Sequence, residues 1–272
     1  MRRPDAAVAI VLLAALASAG CSRVAFIKTD PSRQDYNRQA EDVVVKETDA
    51  GRNRANARNA LLLSQQRLTE GDLAAAEKYA KQALQADPQS ADANTMLAVI
   101  SDQQGRRDQS GAYYQRAAQL APNGGTYNNY GAWLCANQHV AESLAWFDQA
   151  IADPAYSTPA AALANAGRCA MDAGQADRAQ RDLRRAIELE PSNPVALDAL
   201  ARSEFRAGRY FEARAFSERR LAAAPATAEA LLLASQIEDK LGDSAAAARY
   251  GRRLREEFPG TASGNAGGST SP

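Results

Sequence analysis

The chain has 272 residues, of which 46% are hydrophobic and 6% aromatic, and Lys+Arg equal Asp+Glu at 32 each. That length and apolar share suffice for a substantial core, and abundant alanine with little β-branched enrichment reads as helical. The charge balance gives no support for nucleic-acid binding, which usually shows a basic stripe.

The chain opens with Arg2-Arg3, an apolar run from Ala6 to Ala17, and then Ser18-Ala19-Gly20-Cys21. This is the pattern of a secretory signal peptide over residues 1–20, with an apolar run too short to span a bilayer. The small residues before Cys21 resemble the lipobox of bacterial lipoproteins, although Ser18 stands where leucine is usual. The resemblance implies that Cys21 becomes the acylated first residue of the mature chain, and Ser22 in place of aspartate implies sorting to the outer membrane. An ordinary secretory peptide with an unused cysteine is the other reading. Residues 21–53 are mostly polar, broken by Pro31 and Gly51, and read as a tether. A short helix is expected around Arg38–Glu47, and Val43-Val44-Val45 is alternatively placed against the first repeat.

From there a glycine recurs at Gly71, Gly105, Gly174, Gly208 and Gly242, each followed five residues later by Ala76, Ser110, Ala179, Ala213 or Ala247. The steps are 34, 69, 34 and 34 residues, and Gln138 with Ser143 fills the double step without its glycine. A period near 34 is that of tetratricopeptide (TPR) helix pairs. Units starting near Ala57, Ala91, Gly124, Ala160, Pro194 and Ala228 place a small residue at position 8 (Ser64, Ala98, Gly131, Gly167, Ala201, Ser235) and at position 20 of all six. Small side chains there let helix axes approach closely. Position 27 holds Ala83, Ala117, Ala150 and Ala186 and then changes to Arg220 and Leu254, which predicts looser packing toward the C-terminus. Pro88, Pro122, Pro191, Pro225 and Pro259 end the units, with Pro154 one place early. The third-to-fourth step is 36 residues, its extra length falling in a lengthened turn over residues 153–159. The expected fold is all-α, a right-handed α-solenoid of about six TPR pairs over residues 54–259, followed by a Gly/Ser-rich, disordered tail at 260–272.

No phosphate loop, HExxH, GxSxG or CxxC motif occurs, and the one histidine, His139, has no ligand-spaced neighbours. The expectation is a protein without catalytic residues, metal, cofactor or small-molecule substrate, with His139 a solvated turn residue. Cys135 and Cys169 fall at positions 12 and 10 of neighbouring first helices. Two positions differ by about 200° around a helix, so the thiols are expected to face apart and remain free and largely buried, with a disulfide, which a periplasmic location permits, as the other reading. The concave face of such an array is lined by first-helix positions 2, 5, 9, 12 and 13, which bring Leu61, Leu68, Val99 and Phe205 to it. These four suit an apolar or amphipathic partner segment, with Leu61, Leu68 and Val99 as the candidate site near the tether, and packing between helices is the competing reading of the same stripe. The lysine and asparagine set that clamps a peptide carboxylate in some TPR domains is absent.

Asn128-Asn129-Tyr130-Gly131 with Trp133-Leu134, Asn165-Ala166-Gly167-Arg168-Cys169, and Leu231-Leu232-Leu233 with Leu241-Gly242-Asp243 through Tyr250 to Phe258-Pro259 together resemble the PilF/PilW family of type IV pilus biogenesis/stability lipoproteins. The resemblance covers residues 53–259. It implies a pilotin: an outer-membrane lipoprotein, anchored through Cys21, that binds secretin subunits and supports their assembly. A periplasmic scaffold for cell-wall enzymes or for outer-membrane protein assembly is the alternative with the same repeats and lipid.

Overall fold

The computed structural model describes residues 48–260, where the regular structure is twelve helices with no strand. They pair as α1 (Asp49–Thr69) with α2 (Leu73–Ala86), α3 (Ala91–Gln103) with α4 (Arg107–Leu120), and α5 (Gly124–Ala136) with α6 (Val140–Ala152). Then follow α7 (Pro159–Asp172) with α8 (Ala176–Leu189), α9 (Pro194–Arg206) with α10 (Tyr210–Ala223), and α11 (Ala228–Leu241) with α12 (Ser244–Glu257). The signal peptide, Cys21, the helix expected at 38–47, the valine cluster and residues 261–272 lie outside the described residues. Helix α1 begins at Asp49, ahead of the residue 54 boundary read from the sequence. Thr48 explains the difference: its hydroxyl accepts from the Gly51 N–H at 3.1 Å, capping the helix before the repeat frame starts.

Each pair turns in the same way. The five recurring glycines have φ between +72° and +81°, and Gln138 takes the sixth such position at +68°, the one non-glycine with positive φ among the described residues. The next N–H reaches back to a carbonyl five residues earlier, as in Asp72 to Leu-preceding Arg67 at 2.9 Å, His139 to Leu134 at 2.9 Å and Asp243 to Glu238 at 3.0 Å. These bonds satisfy carbonyls that the helix end leaves unpaired.

Close crossing of the two helices is enforced at positions 8 and 20. A Cβ on Gly167 would stand 2.6 Å from Leu183 Cγ and 3.1 Å from the Leu183 backbone nitrogen. In four of the six pairs one of the two positions is serine, and its hydroxyl donates across the crossing to the carbonyl of the other. The bonds run from Ser64 to Ala76 at 2.8 Å, Ser110 to Ala98 at 2.9 Å, Ser143 to Gly131 at 2.9 Å and Ser235 to Ala247 at 3.0 Å. The crossing is thus pinned by a directional bond as well as by lack of bulk.

The backbones of successive first helices come close to one another, whereas those of successive second helices stand further apart and meet through long side chains such as Arg178 with Asp148. The first helices therefore form the inner layer of the array and the second helices the outer one. The core is correspondingly a string of clusters between neighbours, from Ala57, Ala83 and Ala93 at one end to Ala213, Leu233 and Ile237 at the other.

One expectation needs correction. Cys135 and Cys169 are joined in a disulfide, with Cα atoms 5.9 Å apart. In a stack, the forward side of one first helix meets the backward side of the next, so an angular offset near 200° aims the two thiols at each other. Position 27 changes as expected: Arg220 is buried with its guanidinium donating to the carbonyls of Ala224 and Pro225 at 3.3 and 3.2 Å, while Leu254 is only half-buried on a last helix whose one buried residue is Ala246. The lengthened turn has a local purpose as well. Asp153 accepts from the Gly124 N–H at 2.6 Å, and Tyr156 lies against Gly124, where a Cβ would meet its ring at 2.4 Å.

Candidate protein-binding surface

Leu61 and Leu68 lie two turns apart on α1, and both are half-buried. They are not gathered into one cluster: Leu61 packs on Ala57, Ala60, Ala83 and Ala93, and Leu68 on Ala76, Ala80, Leu97 and Ile100. Val99 is half-buried on α3 and belongs to neither. Each of the two leucines therefore spends one side on the core and presents the remainder at the surface.

The larger exposed apolar surface in this region is next to them. Position 7 is buried in the five later repeats, as Leu97, Tyr130, Ala166, Leu200 and Ala234. In the first repeat it is Leu63, 40% exposed, with Leu62 before it 70% exposed. In later repeats this side of the first helix is covered by the preceding repeat, and none of the described residues precedes α1 by more than one position. The signal in the sequence was the unbroken Leu61-Leu62-Leu63, since three consecutive leucines cannot share one face of a helix.

The middle of the array is aromatic. Tyr130 contacts Trp146 edge-on at 5.2 Å between centroids and stacks with Trp133 at 6.1 Å, and Tyr127 adds to Trp146 at 5.3 Å. Tyr114 joins the same cluster, and burial, with Asp102 nearby, pushes its phenol up to about 12. His139 is exposed at the start of α6, with its ring stacked on Trp133 at 6.4 Å. On the inner layer Asn165 donates to Asn128 at 3.0 Å, joining α7 to α5 beside the disulfide.

Charge pairs join neighbouring repeats elsewhere. Arg106 meets Glu77 at 2.7 Å, Arg178 meets Asp148 at 2.6 Å, and Arg214 Nε donates to the buried Glu238 at 2.9 Å. Glu77 also holds Lys81 at 2.6 Å, and the hydrogen bonds from Lys81 and Arg106 bring its carboxyl down to about 2. No group of three or more His, Cys, Asp or Glu stands close enough to hold a metal ion among the described residues. No helix among them is long and apolar enough to cross a membrane. Phe205, the apolar inner-face residue of the fifth repeat, is half-buried against Ala201, Ala213, Leu233 and Ile237 and contacts Tyr210 at 5.6 Å.

This frame matches known proteins. Tetratricopeptide-repeat family models match residues 67–132 and 164–219. The chain is 26% identical over 216 residues to the type IV pilus assembly protein PilF of Pseudomonas aeruginosa, spanning 79% of this chain and 85% of that one. The crystal structure of PilW, described as a widely conserved type IV pilus biogenesis factor, superimposes with a TM-score of 0.65 at 30% identity, over 75% of this chain and 94% of PilW. A solved structure of Pseudomonas aeruginosa PilF shares the fold with a TM-score of 0.65 at 23% identity, over 76% and 94% of the two chains. The chain belongs to the TPR protein family of PilF and PilW.

Proposed function

We propose that the chain is a pilotin: a lipoprotein of the outer membrane, anchored through acylated Cys21, that captures secretin subunits and supports their assembly for type IV pilus biogenesis. The observation that carries this reading is the 30% identity to PilW across 94% of its solved chain. The array has the form of a binding frame, with an inner layer of first helices on which a partner segment can lie. Several acyl chains on one cysteine give stable anchoring where a single chain gives only marginal residence. Anchoring then holds the partner at high local concentration beside the membrane. The capture surface in this reading is the inner face of the first two repeats, through Leu61, Leu68 and Val99.

Affinity capture from detergent-solubilised envelope tests the partner. Secretin is the expected catch. Murein hydrolases or barrel-assembly components without secretin would instead favour a periplasmic scaffold. Membrane fractionation tests the anchor: Cys21→Ser should leave the repeats folded and release the protein from the outer membrane. Full retention of that variant would contradict the lipid anchor.

A further inference from the structure

Repeats four to six hold a cleft of about 330 Å³, lined by Arg168, Val195, Asp198, Arg202 and Glu229 of the first helices and by Arg220 near the end of α10, whose guanidinium is held by the Ala224 and Pro225 carbonyls. Arg168 and Arg202 occupy position 9 of successive repeats, on the adjacent helices α7 and α9. Their bonding differs. Arg202 Nε donates to Asp198 one turn back on its own helix at 2.7 Å. Among the described residues the acid that Arg168 approaches is Asp172, at 3.9 Å, and the Arg168 side chain is 38% exposed. A guanidinium carries five donors in a fork that matches a carboxylate, so Arg168 retains most of its bonding capacity toward the cleft.

The remaining lining narrows the ligand. Val195 is 37% exposed and gives an apolar wall at the start of α9. Glu229 lines the same cleft and would repel a run of acids. The volume suits a few side chains of an extended segment, near the lower end of ligand sites at roughly 300 Å³.

We propose that this cleft is a second docking site, taking an extended peptide segment of a protein partner in which an acidic side chain stands beside an apolar one, with Arg168 receiving the carboxylate and Val195 the apolar group. The site is separate from the first two repeats and does not depend on what they bind.

Fluorescence anisotropy on the full mature chain in detergent micelles tests it, with a fluorescein-labelled glycine nonapeptide carrying one central Leu-Asp pair and its Leu-Asn counterpart as probes. The Asp peptide should bind, and the Asn peptide about ten-fold more weakly or worse. Arg168→Ala and Arg168→Glu should each weaken the Asp peptide about ten-fold or more while the melting temperature holds, because the side chain has no buried partner. Asp172→Asn should tighten binding by removing an acid that competes for Arg168. The Leu61→Asp/Leu68→Asp variant, if folded, should bind the probe as wild type does, so this result and secretin capture fail separately. Equal binding of the two peptides, no binding of either, or unchanged binding by both Arg168 variants would overturn the proposal.

Discussion

Two junctions of the array are held by different chemistry. Between repeats three and four the contacts are led by a covalent one, the Cys135–Cys169 disulfide, set beside Phe147 packed with Ala166 and supplemented by the Asn165–Asn128 hydrogen bond and the Arg178–Asp148 pair. Between repeats five and six they include the pairing of Arg214 with buried Glu238, while within repeat five Arg209 pairs with buried Glu204 and Arg220 is held by carbonyls. The repeat frame is the same at both places, so the frame fixes where helices lie and leaves the means of fastening open. The first junction should respond to reduction, the second to loss of a charge partner.

The largest expected effect breaks the covalent fastening. Cys135→Ser with Cys169→Ser frees a 34-residue loop, for which loop entropy predicts a loss of roughly 3–4 kcal/mol. Denaturant unfolding of oxidised, reduced and double-serine protein measures it, and reduced wild type should match the variant. Next comes bulk at a crossing. Gly167→Leu places its side chain into Leu183 and should cost about 1–3 kcal/mol, read by the same unfolding curves. A melting temperature equal to wild type would contradict the phasing of the repeats at position 8.

The second junction is probed by Arg214→Ala, which leaves Glu238 buried without its cation and should lower the melting temperature, with little change on adding reductant. A charge pair at the first junction of the array adds a pH test. The Glu77 carboxyl is held at about 2 against an ordinary 4.5. A depressed folded-state value means its contribution is complete above about pH 4.5 and is lost as pH falls toward 2. Wild type and Glu77→Gln should therefore differ in stability by a constant amount near neutrality and converge on acidification through that window.

The smallest effect sharpens the reading of the turns. Gln138 takes a left-handed conformation that costs a non-glycine residue about 1 kcal/mol, so Gln138→Gly should stabilise the third repeat by up to about that amount. Thermal unfolding resolves the sign. Gly105→Gln is the mirror experiment and should destabilise by a similar margin, since that glycine has φ +73° and open space around it.

The frame was legible because a left-handed turn admits few residues: glycine spacing located the turns, and a missing glycine still left Gln138 in register. Helix starts followed from the same period, with α1 the exception because its cap, Thr48, lies outside the repeat. Side-chain fastenings were much less visible. Serine and alanine look alike as small residues, so the hydroxyl bonds across four crossings left no mark on the pattern. The disulfide was misread because comparing angular positions assumes that partners sit on equivalent sides, whereas neighbours in a stack meet through opposite ones. At the surface, the period brought out Leu61 and Leu68 but treated the first repeat like the rest. Leu62 and Leu63 stand out only once it is seen which side of α1 the later repeats would cover.

The central claim, that partner capture belongs to the inner face of the first repeats, is tested most directly by measuring secretin capture by Leu61→Asp/Leu68→Asp beside circular dichroism of the same preparation. The account predicts a folded helical array that no longer captures secretin, with Phe211→Asp, an exposed outer-layer change, capturing as wild type does. A folded double variant that still captures secretin would contradict it and move the site away from these repeats.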